Sequence, residues 1–480
     1  MSIASAISNA MSGLTATARG TETVASNLAN AMTPGYSRRD MIVTASGTGG
    51  VRVDGIARIV NASLVSEARL AASALGDAST RSAFHTGMEG VIGLPGATGA
   101  LSTILTDFQT ALGSAATRPD DEIRLVQVVN SASALANRLN AASEAVQAAR
   151  STAQQGIASD VATLNSSLER VVVLNARIAL LTADGRDASP LVDERQQAIN
   201  RISGIVPVQE VVRDSGRIAL FTAEGAVLLD GSKPAVLRFE GGEQVTSDQV
   251  VGAPLQLLSL NGTALAPDQM RLFSGGSLAA NFLIRDRLAP QMQAELDDLA
   301  FELHQRLADP AIDPTLGAAD PGLFTDAGAR ANAASRLGLA GRLSLNAAVD
   351  PAAGGAPWRI RAGLQAASPG PVGRGEVLNG LLGALDAVRP AHAGSSVEGS
   401  SSLASRFGNV EARVSSRRVE AQADLAIRSS RHATITSSLM ADGVDTDSEM
   451  QRLLQYEQSY AANARVLRAV DEMINQILRM

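Results

Sequence analysis

The side chains that could do chemistry are few and scattered along the chain. The 480 residues include four histidines and no cysteine, which excludes disulfides, thiolate catalysis and cysteine-type zinc sites. No histidine has a second one at metal-binding spacing; they are His85, His304, His392 and His432. Four acids would suit calcium by type, but the EF-hand spacing is missing; they are Asp309, Asp313, Asp320 and Asp326.

Catalytic motifs are equally hard to find. The sequence has no G-x-S-x-G elbow, and Lys233 precedes Pro234, so it does not belong to a Walker A loop. The glycine-rich stretch 47–50 precedes a strand pattern and not a helix, which excludes a dinucleotide-binding loop. We therefore predict that the protein is not an enzyme, and that it has no catalytic residue, no cofactor and no metal site.

Composition narrows the class of partner. The net charge is -7 and only 3% of residues are aromatic, so a nucleic-acid partner is not expected. The first basic residue is Arg19, and the residues before it include many Ser, Thr and Asn. We expect neither a cleaved secretory signal nor membrane insertion.

The elements that must position a function lie at the two ends of the chain. Near the N-terminus, apolar and small residues recur in steps of three and four, which predicts a helix with a broad apolar stripe. Its predicted assembly interface is Ile3, Ile7, Met11, Leu14, Ala18, Ala25 and Leu28. A second seam beside it contains Ile3, Ala10, Thr17 and Val24.

The C-terminal stretch has the sharper heptad pattern. Thr446 and Glu449 have the spacing of a capping box, which predicts a helix start. A seam in steps of three and four then covers more than three heptads. Its predicted interface residues are Leu453, Tyr456, Tyr460, Asn463, Leu467, Val470, Ile474 and Ile477.

The N-terminal helix is followed by an abrupt stop signal. A residue before proline avoids the α region, proline cannot continue the helix, and glycine accepts a positive φ. The helix is therefore predicted to end near Ala31 or Met32. The residues of this motif are Asn27, Asn30, Thr33, Pro34, Gly35 and Tyr36.

Between the two ends the pattern changes twice. Helical spacing runs from Asn61 to about Ser203, and short β-rich runs with Gly-containing turns begin at Ile205. The fold class predicted is mainly α with a β-rich insertion. We expect an elongated, multidomain chain whose terminal helices pair as a coiled coil. The predicted domains are 1–60 with 440–480 (inner coiled coil), 61–204 with 376–439 (helical) and 205–375 (β-rich, outer, with a helix and Pro/Gly-rich loops).

Several stretches resemble flagellar axial proteins. "SNLANAMTPGYSRRD" resembles the N-terminal signature of that group, and "YEQSYAANARV" is similar to its C-terminal one. "GVRVDGIARIVNASLVSEAR", "PLVDERQQAINRIS" and "GGSLAANFLIRD" resemble the family of flagellar hook-associated protein 1, or FlgK. The resemblance covers about the first 70 and last 40 residues well and the middle in patches.

The resemblance implies a structural adaptor at the hook–filament junction that polymerises at the distal end of the hook and allows the filament to assemble. Implied partners are copies of itself, the hook protein, hook-associated protein 3 on the filament side, and an export chaperone at the C-terminal helix. The implied location is the extracellular flagellum, reached through the flagellar type III apparatus.

Two alternatives stay open at this point. One is another flagellar axial protein, of the rod or hook type, because the terminal signatures are shared with those proteins. The other is a cytoplasmic coiled-coil scaffold or signalling protein. Arg38 and Arg39 are interpreted as solvated charges, with contact to a neighbouring subunit's carboxylates as a further hypothesis.

Overall fold

The computed structural model describes residues 3–33, 35–47, 49–242, 244–251, 254–395 and 399–479. Within these ranges the chain is mainly α-helical with several small sheets, which confirms the predicted fold class. The helices are α1 (Ile3–Ala29), α2 (Ala62–Ile92), α3 (Leu101–Thr117), α4 (Glu122–Ala183), α5 (Ser189–Ile205), α6 (Gly276–Leu283), α7 (Ala289–Arg306), α8 (Arg359–Ala362), α9 (Glu376–Asp386), α10 (Leu403–Ala441) and α11 (Thr446–Leu478).

The strands are short, and most of them lie in the middle of the chain. They are β1 (Arg39–Ala45), β2 (Val51–Arg58), β3 (Val208–Val212), β4 (Ile218–Thr222), β5 (Val227–Asp230), β6 (Lys233–Pro234), β7 (Leu237–Arg238), β8 (Val250–Val251), β9 (Pro254–Leu255), β10 (Ser259–Leu260), β11 (Thr263–Ala264), β12 (Phe324–Asp326), β13 (Leu343–Leu345), β14 (Arg389–Pro390) and β15 (Ser400–Ser401). The largest sheet has the antiparallel order β3-β4-β5-β6. It is the small antiparallel sheet that the turn-separated runs from Ile205 predict.

The long helix α4 connects two hydrophobic cores. Its first half packs with α3, α7, α9 and α10 in the first core, where Leu135 and Leu139 are fully buried. Its second half packs with α5, α6 and the four-stranded sheet in the second core, where Leu164 and Leu168 are fully buried. Both cores combine residues from the predicted helical and outer domains, and the predicted domain boundaries stay a prediction.

A π-helical turn lies between α6 and α7, over Ile284–Leu288. Phe282 belongs to the second core and Ile284 to the first, so the turn lies where the chain passes from one core to the other. Arg285, in the same turn, is completely buried, and its guanidinium lies 4.9 Å from the ring centre of Phe282. Such a buried guanidinium is stable because acceptors and an aromatic face satisfy it: Arg285 donates to the carboxylate of Asp286 and to the carbonyl of Gln256.

The helices at the two chain ends pack against each other, as the heptads predict. The β1–β2 hairpin lies against α1 as well, since the N–H of Val51 donates to Oγ of Ser12 at 3.1 Å. Its two strands pair antiparallel, with an irregularity between Ile42 and Val43. We refer to α1 and α11 together as the terminal pair. None of the helices that the structure describes is long and apolar enough to cross a membrane.

Candidate assembly interface

The terminal pair has an antiparallel heptad register that glycines make possible. A Cβ atom at Gly13 would lie 2.6 Å from Nδ2 of Asn463, and one at Gly20 would lie 2.5 Å from Cζ of Tyr456. One heptad further along α1, the amide of Asn27 donates to Glu449 at 3.0 Å. Positions 13, 20 and 27 of α1 therefore lie opposite positions 463, 456 and 449 of α11, seven residues apart in each helix and in opposite directions. Helices approach closely where one of them presents only hydrogen atoms, so the two glycines admit an amide and an aromatic ring.

The face of α1 that meets α11 is not the one the main seam predicts. Ala10, Thr17 and Val24, from the second seam, are buried in the terminal pair. In the predicted interface set, Ile7, Leu14 and Leu28 are half-buried, whereas Ile3, Met11, Ala18 and Ala25 are exposed. We call Met11, Ala18 and Ala25, with the half-buried Ile7 and Leu14, the α1 stripe.

The predicted interface residues of α11 divide in a similar way. Val470 is buried, and Tyr460 and Ile477 are 52% and 58% exposed. The rest are half-buried: Leu453, Tyr456, Asn463, Leu467 and Ile474. In both helices, therefore, apolar side chains remain exposed beside the face that the pair itself uses. That these residues form an interface between copies stays a prediction.

The stop after α1 is built around one amide. Asn27 is fully buried, and its Oδ1 accepts the Tyr36 hydroxyl at 2.8 Å and the N–H of Arg39 at 3.0 Å, while its Nδ2 donates to the carbonyl of Arg39 at 2.8 Å. The Asn27 side chain thus connects the last turn of α1 to Tyr36 and Arg39, which follow the turn in the chain. A buried side-chain amide is stable only when its donors and acceptors are satisfied, and here all four bonds are made.

The remaining motif residues form the turn itself. The helix ends at Ala29, slightly earlier than predicted, and Asn30 Nδ2 donates to the carbonyl of Ser26 at 2.9 Å. The N–H of Thr33 donates to the carbonyl of Asn30 at 2.9 Å, and Gly35 has a φ of +82°, as its place in the motif requires. Pro34 lies outside the described residues.

The predicted capping box at the start of α11 is wrong. Asp445 is the cap, since its side chain accepts the N–H groups of Asp447 and Ser448. Glu449 is instead fully buried, where Asn27 and the Nε of Arg38, at 3.0 Å, donate to it. Sequence reasoning missed this role because glutamate at the third helical position suits a cap. The available signal was that Glu449 lies one heptad before Tyr456, on the apolar seam, where a charge requires a partner.

Arg38 and Arg39 are not solvated charges. Arg38 binds Glu449, and Arg39 binds Asp193 of α5 at 3.1 Å. Asp193 also forms an ion pair with Arg58 of β2 at 2.7 Å. Sequence reasoning did not identify Asp193 or Arg58 as functional residues. Both predicted arginines are therefore engaged with carboxylates of their own chain, and this finding corrects the solvated-charge interpretation.

The candidate metal ligands have local structural roles. Asp313 accepts the N–H of Leu364 at 2.8 Å, and Asp326 forms an ion pair with Arg342 at 2.8 Å. His304 is buried with its ring nitrogens next to the carbonyl of Phe324 and the N–H of Ala331, and burial lowers its pKa. In the part of the chain that the structure describes, no three His, Asp or Glu side chains lie together so that they could hold a metal ion.

His85, on α2, makes the stability of the fold sensitive to acid. Burial, together with the positive charges of Arg417 and Arg81, lowers its pKa from 6.5 to about 4. Between pH 6.5 and pH 4 the imidazole of His85 is protonated in the unfolded chain but not in the folded one. The free energy of unfolding is therefore highest above about pH 6.5 and falls as the pH approaches 4.

We expect His85→Gln to reduce this loss of stability, measured as the free energy of unfolding in urea at pH 7.5 and at pH 5. Thr86→Gln changes the exposed neighbour on the same helix and should leave the pH dependence as it is. An equal loss of stability in the His85→Gln variant and the unmutated chain would contradict this assignment.

Comparison with known proteins identifies the class. The "Flagellar hook-associated protein FlgK helical domain" model matches residues 86–309. The "Flagella basal body rod protein" model matches 7–36, and the "Flagellar basal body rod FlgEFG protein C-terminal" model matches 437–480. The two rod-type matches contain most of α1 and the whole of α11, which form the terminal pair.

Individual relatives agree with these matches. Flagellar hook-associated protein 1 of Salmonella typhimurium is 28% identical over 241 residues, which are 48% of this chain and 43% of the relative. Its counterpart in Bacillus subtilis is 26% identical over 315 residues, which are 58% of this chain and 61% of that protein. The matched part of this chain thus spans less than two thirds of the length of either relative. A solved structure of the flagellar hook junction protein FlgK from Burkholderia pseudomallei aligns at 22% identity and a TM-score of 0.44, over 54% of this chain and 46% of that one.

Rod-type segments at both ends around a hook-associated helical domain define a protein of the flagellar axial class. Within that class, the helical-domain match and the named relatives support a protein of the FlgK family of flagellar hook-associated proteins.

Proposed function

We propose that the protein is a structural subunit of the bacterial flagellum that joins the filament to the hook. It polymerises at the distal end of the hook and has no catalytic role. The observation that carries this proposal is the placement of the two rod-type segments: they lie at opposite ends of the chain and pack against each other as the terminal pair. Each terminal helix is a marginal structure alone, and the pair still exposes the α1 stripe.

The proposed partners follow from this role. Copies of the chain pack side by side through the α1 stripe and the exposed apolar residues of α11, because a contiguous apolar surface gains most from burial against a like surface. The hook protein lies on one side of this layer and hook-associated protein 3 on the other. A flagellar export chaperone binds α11 before assembly, and the subunit reaches the cell exterior through the flagellar type III apparatus.

A strain that lacks the gene tests the function. We expect it to make hooks without filaments and to release flagellin into the medium, and expression of this chain should restore filaments. The rod-type matches also favour a second candidate, a rod or hook subunit, whose loss would leave no hooks at all. Filaments of normal length on the deletion strain would contradict both.

A further inference from the structure

Two consecutive arginines connect the terminal pair to the rest of the molecule. Nε of Arg38 donates to Oε1 of Glu449 on α11 at 3.0 Å, and Nη2 of Arg39 donates to Oδ2 of Asp193 on α5 at 3.1 Å. The backbone here is extended, since the carbonyl of Arg38 accepts the N–H of Ile59 and continues the β1–β2 ladder. In extended backbone, neighbouring side chains leave on opposite sides, so the two guanidinium groups reach two different helices.

Both acceptor carboxylates are withdrawn from solvent. Glu449 is fully buried, and Asp193 is 7% exposed. A charge in such a place is stable only while its partner is present, because the loss of one partner leaves the other unpaired and poorly hydrated. These two ion pairs therefore oppose small movements of α5 and α11 more strongly than exposed ion pairs would.

The helix α5 offers more than one contact to this segment. Asp193 also accepts two bonds from Arg58, at 2.7 and 2.9 Å, which ties β2 to the same carboxylate. One helical turn further along, Gln197 lies under the stop turn, where a Cβ at Gly35 would be 2.9 Å from its Cγ. The turn that ends α1 and both strands of the hairpin thus rest on a single face of α5.

We propose that Arg38 and Arg39 form a joint that sets the angle between the terminal pair and the rest of the molecule. Glu449 is the anchor on the side of the terminal pair, and Asp193 is the anchor on α5. The inference deepens the proposed function, on which it rests for its biological meaning: a subunit with this joint presents its terminal pair to the assembly in a defined orientation.

Spin-label distances in the isolated full-length chain test the joint. Because the chain has no cysteine, labels can be placed at two introduced ones. Arg465→Cys on α11 with Glu169→Cys on α4 reports the distance across the joint. Ala18→Cys with Gln458→Cys reports the distance within the terminal pair. All four positions are exposed.

We expect one narrow distance distribution across the joint in the parent chain and its loss in Asp193→Asn, while the distance within the terminal pair stays narrow. Glu194→Gln is the matched control, since this half-buried neighbour pairs with Arg170 of α4, and it should retain the narrow distribution. Arg39→Gln removes the opposite partner and provides a second variant if Asp193→Asn lowers the helical content.

A narrow distribution across the joint in both Asp193→Asn and Arg39→Gln would overturn the proposal, and so would a broad one in the parent chain. Neither measurement involves a flagellum. Failure of the joint is therefore distinct from failure of the proposed function, which the deletion strain tests.

Discussion

Replacing Gly76 with alanine is expected to destabilise the fold by about 1–3 kcal/mol, the usual range for overpacking. Gly76 lies within α2, where α2 crosses the end of α5, and an added Cβ would lie 2.4 Å from the carbonyl oxygen of Gly204. The obstacle is backbone on both sides, so no side-chain rotation relieves it. The free energy of unfolding in urea, followed by helical circular dichroism, measures the effect.

The same substitution elsewhere in α2 should act in the opposite direction. At Gly87 an added Cβ meets nothing within 4 Å, so Gly87→Ala is expected to stabilise the helix by about 0.5–1 kcal/mol through the lower backbone entropy of the unfolded chain. Equal effects of the two substitutions would show that α2 and α5 do not approach as closely as the structure has them. The crossing matters beyond stability, because α5 carries Asp193.

Hydrophobic periodicity predicted the elements at the chain ends but not which part of each stripe meets the partner. Two adjacent seams of α1 have comparable apolar character, and the choice between them depends on shape. Gly13 and Gly20 allow α11 to come close on their side, and this places Ala10, Thr17 and Val24 in the contact. In a hydrophobic pattern, glycine counts only as a residue of low helix propensity. The pattern contains no signal for the close helix–helix approach that a glycine allows.

The pairing of the joint's carboxylates with Arg38 and Arg39 was beyond sequence reasoning for a different reason. Glu449 and Arg38 are 411 positions apart in the chain, and Asp193 and Arg39 are 154 apart. Each residue has an ordinary local explanation as a cap or as a surface charge. Only the pairing of the chain ends and the docking of the hairpin on α5 bring them together. The conformational preferences of proline and glycine therefore predicted that α1 ends at the motif. The ion pairs that the residues after the motif form with α5 and α11 depend on tertiary contacts.

The α1 stripe leads to the prediction with the largest effect on function. The double substitution Met11→Asp and Ala18→Asp should leave the isolated chain folded and destabilised by no more than about 1 kcal/mol, because Met11 is 58% exposed and Ala18 is exposed too. It should nevertheless abolish filament formation when it complements the deletion strain, since assembly would bury two carboxylates without partners. Ser8→Asp adds a charge at an exposed position of the same helix outside the stripe, and filaments should form normally with it. If the double variant also supported normal filaments, the stripe would not be the surface through which copies pack. If instead the isolated variant unfolded, the stripe would belong to the fold of the single chain.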